Sequence, residues 1–310
     1  MKFEFEIYQR HFKQPLRTSH GVWRIREGII ITLNSAGISS RGEIAPLPWF
    51  GSETLSEALN FCQQLGEEIS VEDILAIPDR LPACQFAFES ALLDLSDRSS
   101  QDDFSDLDYC YLLPAGEKAL SVWHRYPVAT TFKWKIGVYP LAREIEILKQ
   151  LVDRFPLTVK LRLDANGGLN LSQAEKLLHV TDTLDAISFV EQPLKSDRLT
   201  DMMQLARSHN TVLALDESVA SYTQLQAAYE GGWRGVYVIK APLMGFPTRL
   251  KKFCQRDIDI VFSSVFETEV GRRTVLKLAR ELNHPRAVGF GTESFYQSND
   301  EKLIDRSRLK

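Results

Sequence analysis

The order of apolar and polar positions divides this chain in two. In FEFEIY, residues 3–8, apolar and charged side chains alternate, which is the period of a half-buried strand. GIIITLNS at 28–35 is a β-rich run that ends in turn residues, and GISSRGEIAPLP follows it. Residues 1–50 therefore predict antiparallel strands. The period then changes. Across 53–70, Leu55, Ala58, Leu59, Cys62 and Leu65 fall on one helical face, and a second helix fits 82–97. From about residue 108, short β-rich runs alternate with amphipathic stretches. Eight runs read as strands, at 109–116, 131–137, 159–166, 187–193, 212–218, 235–242, 258–267 and 286–292. Helical patterns separate most of them, at 142–155, 171–184, 199–209, 222–232, 247–257 and 271–284. Apolar runs of this kind suit a parallel sheet covered on both faces. No GxGxxG follows the first run, which argues against a doubly wound dinucleotide fold. The expectation is an α/β chain. A modified TIM barrel spans 96–291, an N-terminal α+β capping domain spans 1–95, and the polar tail 292–310 returns to the cap.

Charged residues recur at the ends of these runs. Lys133 and Lys135 lie in TFKWKIG, Asp164 in VKLRLDAN, Glu191 in ISFVEQP, Asp216 in VLALDES and Lys240 in GVYVIKAP. From Lys135 onward the intervals are 29, 27, 25 and 24 residues, close to the roughly 30 residues of one β/α unit. The C-terminal strand ends of such a barrel form its catalytic face, so these charges gather at one mouth. Three neighbouring carboxylates repel, and one would keep its proton unless a cation intervened. A hard divalent ion with oxygen ligands resolves the conflict. Mg²⁺ fits, and these motifs hold no His or Cys to favour zinc. Lys133 and Lys135 are two apart, so their side chains share one strand face. Their like charge favours the neutral amine of one, bringing it toward general-base range. Lys240, on the sixth run, stands across the mouth from the second. A substrate between them would meet a lysine on each face and a metal at its edge. That suits removal of a proton α to a carboxylate. Trp134, between the two lysines, is expected to point outward into the core.

Composition narrows the partners. With 310 residues, the chain can hold a barrel and a smaller domain. A net charge of −4 gives no basic footprint for nucleic acid. No apolar run approaches the roughly 20 residues that span a bilayer. The N-terminus carries acids early and reads as a strand rather than a signal peptide. Four scattered cysteines without a CxxC pair fit free thiols in a cytoplasmic protein. No interface stripe stands out. The expected protein is a monomer acting on a small-molecule carboxylate, with neither nucleic acid nor membrane as partner.

KWK, LDAN, EQP, LDES and IKAP, in that order and spacing, resemble the enolase superfamily in its muconate-lactonizing-enzyme-like subgroup. The resemblance covers most of the chain and implies a (β/α)7β barrel beneath the cap. It implies Asp164, Glu191 and Asp216 as Mg²⁺ ligands, with Mn²⁺ as a substitute. Lys135 would be the acid/base lysine, Lys133 its tuning neighbour and Lys240 the lysine on the opposite face. Glu217, Asn166 and Gln192 would orient the ligands. TSHGVWRIREGIIITL and RGEIAPLPWFGSETL are further similar to the o-succinylbenzoate synthase family. In that family a loop matching Thr18, Ser19, His20 and Trp23 closes over the substrate, and Arg162 matches an arginine before the first ligand. The implied reaction is a lyase's syn-dehydration of 2-succinyl-6-hydroxy-2,4-cyclohexadiene-1-carboxylate (SHCHC) to o-succinylbenzoate, in menaquinone or phylloquinone biosynthesis. FSSVFETEVG and GFGTESF match loosely. There Ser263, Ser264 and Glu267 either touch the succinyl group or are ordinary strand-end polar residues. Trp23 and Trp49 are read as walls of the pocket or as packing.

Rival readings leave different marks. Dipeptide epimerases share the two lysines and Mg²⁺, but typically carry Asp-x-Asp at the eighth strand, where this chain has GFGTES. N-acylamino-acid racemisation needs the same two lysines and stays open, as does muconate cycloisomerisation. A non-catalytic barrel would have lost a ligand or a lysine, and all six are present. A Schiff-base enzyme could use Lys240 but would leave the carboxylates idle, and no glycine-rich phosphate cradle lies near the last strands.

Overall fold

The computed structural model describes residues 1–18, 21–96, 103–292 and 295–304. The chain begins with three antiparallel strands, β1 (Lys2–Thr18), β2 (Gly21–Ser35) and β3 (Ile38–Ile44). Helices α1 (Leu55–Gln64), α2 (Val71–Leu75) and α3 (Pro82–Ser96) follow. The helix expected across 53–70 is shorter: α1 covers Leu55–Gln64, and the next helix, α2, begins only at Val71. Thr54 and Glu57 form a capping box that starts α1, and Ser70 and Asp73 form another that starts α2. The apolar stripe runs on past Gln64, but Leu65 turns extended and ends α1 there. Ile29, Ile31, Leu33, Ala83, Ala87 and Phe88 form the core between this sheet and its helices.

Eight parallel strands come next: β4 (Tyr109–Leu113), β5 (Thr131–Lys135), β6 (Lys160–Asp164), β7 (Ile187–Glu191), β8 (Leu213–Leu215), β9 (Val236–Ile239), β10 (Asp259–Phe262) and β11 (Val288–Gly291). They pair in the order β10-β9-β8-β7-β6-β5-β4-β11, and a parallel bridge between Ser263 and Gly289 joins the two ends into a barrel. Each strand from β5 to β10 is followed by a helix: α4 (Leu141–Arg154), α5 (Leu171–Thr181), α6 (Leu199–Ser208), α7 (Tyr222–Glu230), α8 (Pro247–Cys254) and α9 (Glu269–Leu282). Only short 3₁₀ turns connect β4 to β5.

Strand alternation sorts the side chains into two cores. Trp134, Leu148, Leu163, Leu177 and Ile239 pack between strands and helices. Phe189, Ala214, Val236, Val238 and Val261 fill the barrel interior. Trp134 is fully buried in the outer core, which leaves its neighbours Lys133 and Lys135 to face inward. After the barrel, β12 (Tyr296–Ile304) pairs antiparallel with β1 and completes a four-stranded sheet. The sheet unit, the cap, is tied to the barrel by buried carboxylates. Glu43 on β3 accepts from the first turn of α9, and Glu89 on α3 accepts from Thr248 on α8. Asp94 takes Arg273 and Lys277 of α9. The four cysteines are buried and unbridged. Among the described residues no helix is long and apolar enough to cross a membrane.

The closest approach inside the cap is at Gly42, where an added Cβ would collide with the Ala87 carbonyl on α3. Gly42→Ala is expected to destabilise the fold by about 1–3 kcal/mol, the usual cost of overpacking. Urea denaturation of the two proteins checks this, and an unchanged midpoint would refute the tight β3–α3 contact.

Candidate active site

Parallel register sets the charged residues in a row. Lys135 pairs with Asp164 across β5–β6, and Asp164 with Glu191 across β6–β7. Asp216 follows the last residue of β8 and Lys240 the last residue of β9. β5 and β9 stand four strands apart in the barrel order, so Lys135 and Lys240 come from opposite sides. All of them line one cavity of about 420 Å³. The cap contributes its roof through Leu16, Trp23, Leu47, Trp49 and Phe50. Trp23 packs edge-on against Trp49 at 5.0 Å and against Phe266 at 5.4 Å, so the roof is a connected aromatic layer.

The electrostatics centre on buried carboxylates. The Lys133 ammonium lies 2.9 Å from both Asp164 Oδ2 and Glu191 Oε1. Burial alone would lower its pKa, but Asp164, Glu191 and Asp216 together hold it well above the ordinary lysine value. The sequence points to a neutral amine at one of the two lysines; at Lys133 the surrounding acids keep the ammonium instead. Asp164 is held below its usual range. Burial pushes it upward, and the charges of Lys133 and Lys135 more than offset this. Glu191 is pushed up to about 7, first by burial and then by the charge of Asp164. Asp216 rises to about 6 through burial, although it pairs with the Lys240 ammonium. That ammonium also sits 4.0 Å from the centre of the Phe50 ring, a cation–π contact. Glu217 is raised as well, chiefly by burial. Its Oε1 accepts from Asn166 Nδ2 at 3.1 Å, while its buried Oε2 has no partner.

As the side chains stand, no three acidic, His or Cys groups among the described residues enclose a metal position. The site nevertheless suits a hard divalent cation. It offers buried oxygen donors, two carboxyls shifted upward by burial and by neighbouring acids, and an orphaned oxygen on Glu217.

The remaining residues named from the sequence fall into three groups. Gln192, in the left-handed region at φ 38, accepts from the Asp216 and Ser218 amides and donates to Leu194 O, which pins the chain at Asp216. Asn166 bridges Asp164 and Glu217. Arg162 lies deeper in the cavity, donating to Ala287 O at 2.7 Å with its guanidinium over Phe189. Ser263 and Ser264 both line the cavity. The Ser264 hydroxyl is committed, donating to Glu267 Oε2 and accepting from Phe266 N. Thr18 ends β1 opposite Gly21. Ser19 and His20 lie outside the described residues.

Two residues went unnoticed in the sequence. Phe50 left no signal. Glu144 did: it interrupts the apolar face of α4 formed by Ile147, Leu148 and Leu151. Its buried carboxylate accepts from the amides of Gly137, Val138 and Tyr139 and fixes the turn just after Lys135.

Comparison with known proteins agrees with this architecture. Residues 116–256, which carry the three lysines and three carboxylates, match the family model described as enolase C-terminal domain-like. Residues 8–95 match the model described as MenC, N-terminal domain. The o-succinylbenzoate synthase of Thermosynechococcus vestitus is 37% identical over 301 residues, covering 94% of this chain and 93% of that protein. The o-succinylbenzoate synthase of Yersinia enterocolitica is 29% identical over 90% of this chain and 86% of its own length. The crystal structure of o-succinylbenzoate synthase from Thermosynechococcus elongatus BP-1, with Mg in its active site, superposes with a TM-score of 0.90 at 36% identity, covering 96% of this chain and 95% of that one. The chain belongs to the o-succinylbenzoate synthase family of the enolase superfamily and is an enzyme of the lyase class. The L-Ala-D/L-Glu epimerase of Bacillus subtilis, at 18% identity and a TM-score of 0.79, shares the fold.

The carboxyl shifts set a pH dependence for the metal-free protein. Glu191 and Asp216 carry folded values of about 7 and about 6 against ordinary values of 4.5 and 3.8. In that window the folded state binds more protons than the unfolded chain, so stability falls as pH rises. Asp164 acts in the opposite sense, at lower pH. Melting in EDTA should show Tm decreasing from about pH 5 to about pH 7.5, with Mg²⁺ raising Tm more at the upper end. A Tm that increases across this range, or a Mg²⁺ effect independent of pH, would contradict the assignment.

Proposed function

We propose that this chain is a Mg²⁺-dependent o-succinylbenzoate synthase that dehydrates SHCHC, a step expected in menaquinone or phylloquinone biosynthesis. The observation that carries the reading is the opposed lysine pair. Lys135 from β5 and Lys240 after β9 face one cavity, and three carboxylates converge beside them. The 37% identity to an o-succinylbenzoate synthase across nearly the whole chain supports the substrate.

Asp164, Glu191 and Asp216 would hold the metal, with Mn²⁺ as a substitute. Bound there, Mg²⁺ would supply Lewis-acid charge to the carboxylate whose α-carbon loses a proton. Lys135 takes that proton as general base. The Lys240 ammonium, held by Asp216 and the Phe50 ring, offsets the negative charge growing on the opposite face. The C–O bond to the ring hydroxyl then breaks, and the Lys135 ammonium returns its proton to the departing oxygen, so that water leaves and the ring becomes aromatic. Using one lysine for both transfers keeps them on one face, which is a syn elimination. Lys133, charged between Asp164 and Glu191, holds those carboxylates in place and keeps positive charge near Lys135. The aromatic roof excludes water from the reacting face. Arg162 and Ser263 are polar groups on the cavity wall that can meet the substrate's second carboxylate, while the Ser264 hydroxyl is already engaged. Racemisation of N-acylamino acids is the second reading, because the same two lysines could pass a proton between faces.

Purified protein with SHCHC and Mg²⁺ is expected to lose the diene absorbance rapidly, and EDTA should stop the loss. No turnover by folded, Mg²⁺-loaded protein would discard the substrate, and α-proton exchange of N-acylamino acids in D₂O would test the second reading. Lys135→Ala should lower turnover by about 10⁴-fold or more while Mg²⁺ still binds, and substantial activity would move the base elsewhere. Asp216→Asn should weaken Mg²⁺ at least about tenfold by calorimetric titration; unchanged affinity would remove it from the ligand set.

A further inference from the structure

One wall of the cavity belongs to the barrel but is held by the cap. The segment after β10, residues 264–268, presents Ser264 and Phe266 to the cavity. Phe266 has φ 62, a left-handed backbone that a bulky residue adopts only when its surroundings impose it. Its ring nevertheless packs against Phe12 at 5.4 Å, Trp23 at 5.4 Å and Phe295 at 5.8 Å. The constraint comes from across the joint. Arg10 on β1 donates to Glu267 O at 3.2 Å, and Tyr296 on β12 donates to Phe266 O at 2.8 Å.

The strongest hold is Glu43 on β3, 1% exposed. Its carboxylate accepts from Tyr8 OH at 2.6 Å, Thr268 N at 2.9 Å, Thr268 Oγ1 at 2.5 Å and Gly271 N at 2.8 Å. Every partner is a donor, and three of them stand at the start of α9, where a negative charge is favoured. Gly271 leaves the room required: a Cβ there would lie 2.9 Å from Glu43 Oε2. Glutamine in place of Glu43 would remove the negative charge from the start of α9 and replace one accepting oxygen by an NH₂, so that the Tyr8 and Thr268 hydroxyls and the Thr268 and Gly271 amides could no longer all be satisfied.

We propose that Glu43 is a positioning residue that fixes residues 264–268 as the wall for the substrate's tail, so that the seating of the cap on the barrel sets affinity for that tail. The identity of the tail as a succinyl group rests on the function proposed above. The lysines and carboxylates stand on or just after β5 to β9 and none lies within 264–268, so the substitution leaves the strands that carry them untouched.

The test compares Glu43→Gln with wild type by amide exchange and by steady-state kinetics on SHCHC. Faster exchange confined to 264–271, with KM raised about tenfold or more and kcat within about threefold, is the expected result. A purely structural role would speed exchange throughout the chain and lower the active fraction, so that apparent kcat falls while KM holds. That pattern overturns the proposal, as does unchanged KM with a loosened segment. Should Glu43→Gln fail to fold, Tyr8→Phe removes one donor alone and should shift exchange and KM in the same direction by a smaller factor; no shift in either overturns the proposal. If wild type does not turn over SHCHC, the proposed function falls, and exchange at 264–271 in the variant still decides whether Glu43 holds the segment.

Discussion

Three carboxylates buried side by side are costly in a low-dielectric interior, and the site is built around compensating them. Asp164 and Glu191 occupy paired positions on adjacent strands, and Asp216 ends the next. Their mutual repulsion and burial raise Glu191 and Asp216 and draw the Lys133 ammonium between two of the acids. Lys240 answers Asp216 in the same way. A parallel barrel can impose such a convergence because its registers are fixed by main-chain hydrogen bonds, which do not yield to repulsion between side chains. The outer core, which buries Trp134 completely, offsets the electrostatic cost at the mouth.

A second use of carboxylates organises the rest of the molecule. Glu53, Glu89, Glu144 and Glu43 each sink a carboxylate against two or more donors that include backbone amides. Glu53 serves the start of α3, Glu89 that of α8, Glu43 that of α9, and Glu144 the turn following β5. The first three satisfy helix-terminus donors that would otherwise lack partners. Two of the four cross between cap and barrel, so the aromatic roof and the charged floor are held at a fixed separation. The roof in turn gives Lys240 an aromatic face on Phe50.

Much of this was written in local pattern. A strand's period of two places Lys133 with Lys135, and charges at β/α spacing must share one mouth, so the carboxylate row was legible before any coordinates. What escaped were effects of contact between distant residues. The charge on Lys133 depends on Glu191, 58 residues away, and no neighbouring residue announces it. Phe50 has nothing in its surroundings to connect it with Lys240. The helix across 53–70 was overread because Leu65 continues the apolar stripe although its backbone has already turned extended and ended α1. Glu144 was legible in principle as an acid on an apolar face, a conflict that signals a buried partner.

The pairing of β12 with β1 makes the cap discontinuous along the chain. Tyr296, which secures Phe266, is separated from the other cap strands by the whole barrel. A relative's cap therefore cannot be transplanted by one crossover. A chimaera taking residues 1–95 from elsewhere would set a foreign β1 beside the resident β12 and mismatch the contacts of Arg10 and Tyr296. Recombination among these enzymes is thus constrained to move both ends of the gene together, and diversity in the roof should arise by point substitution more readily than by exchange of modules.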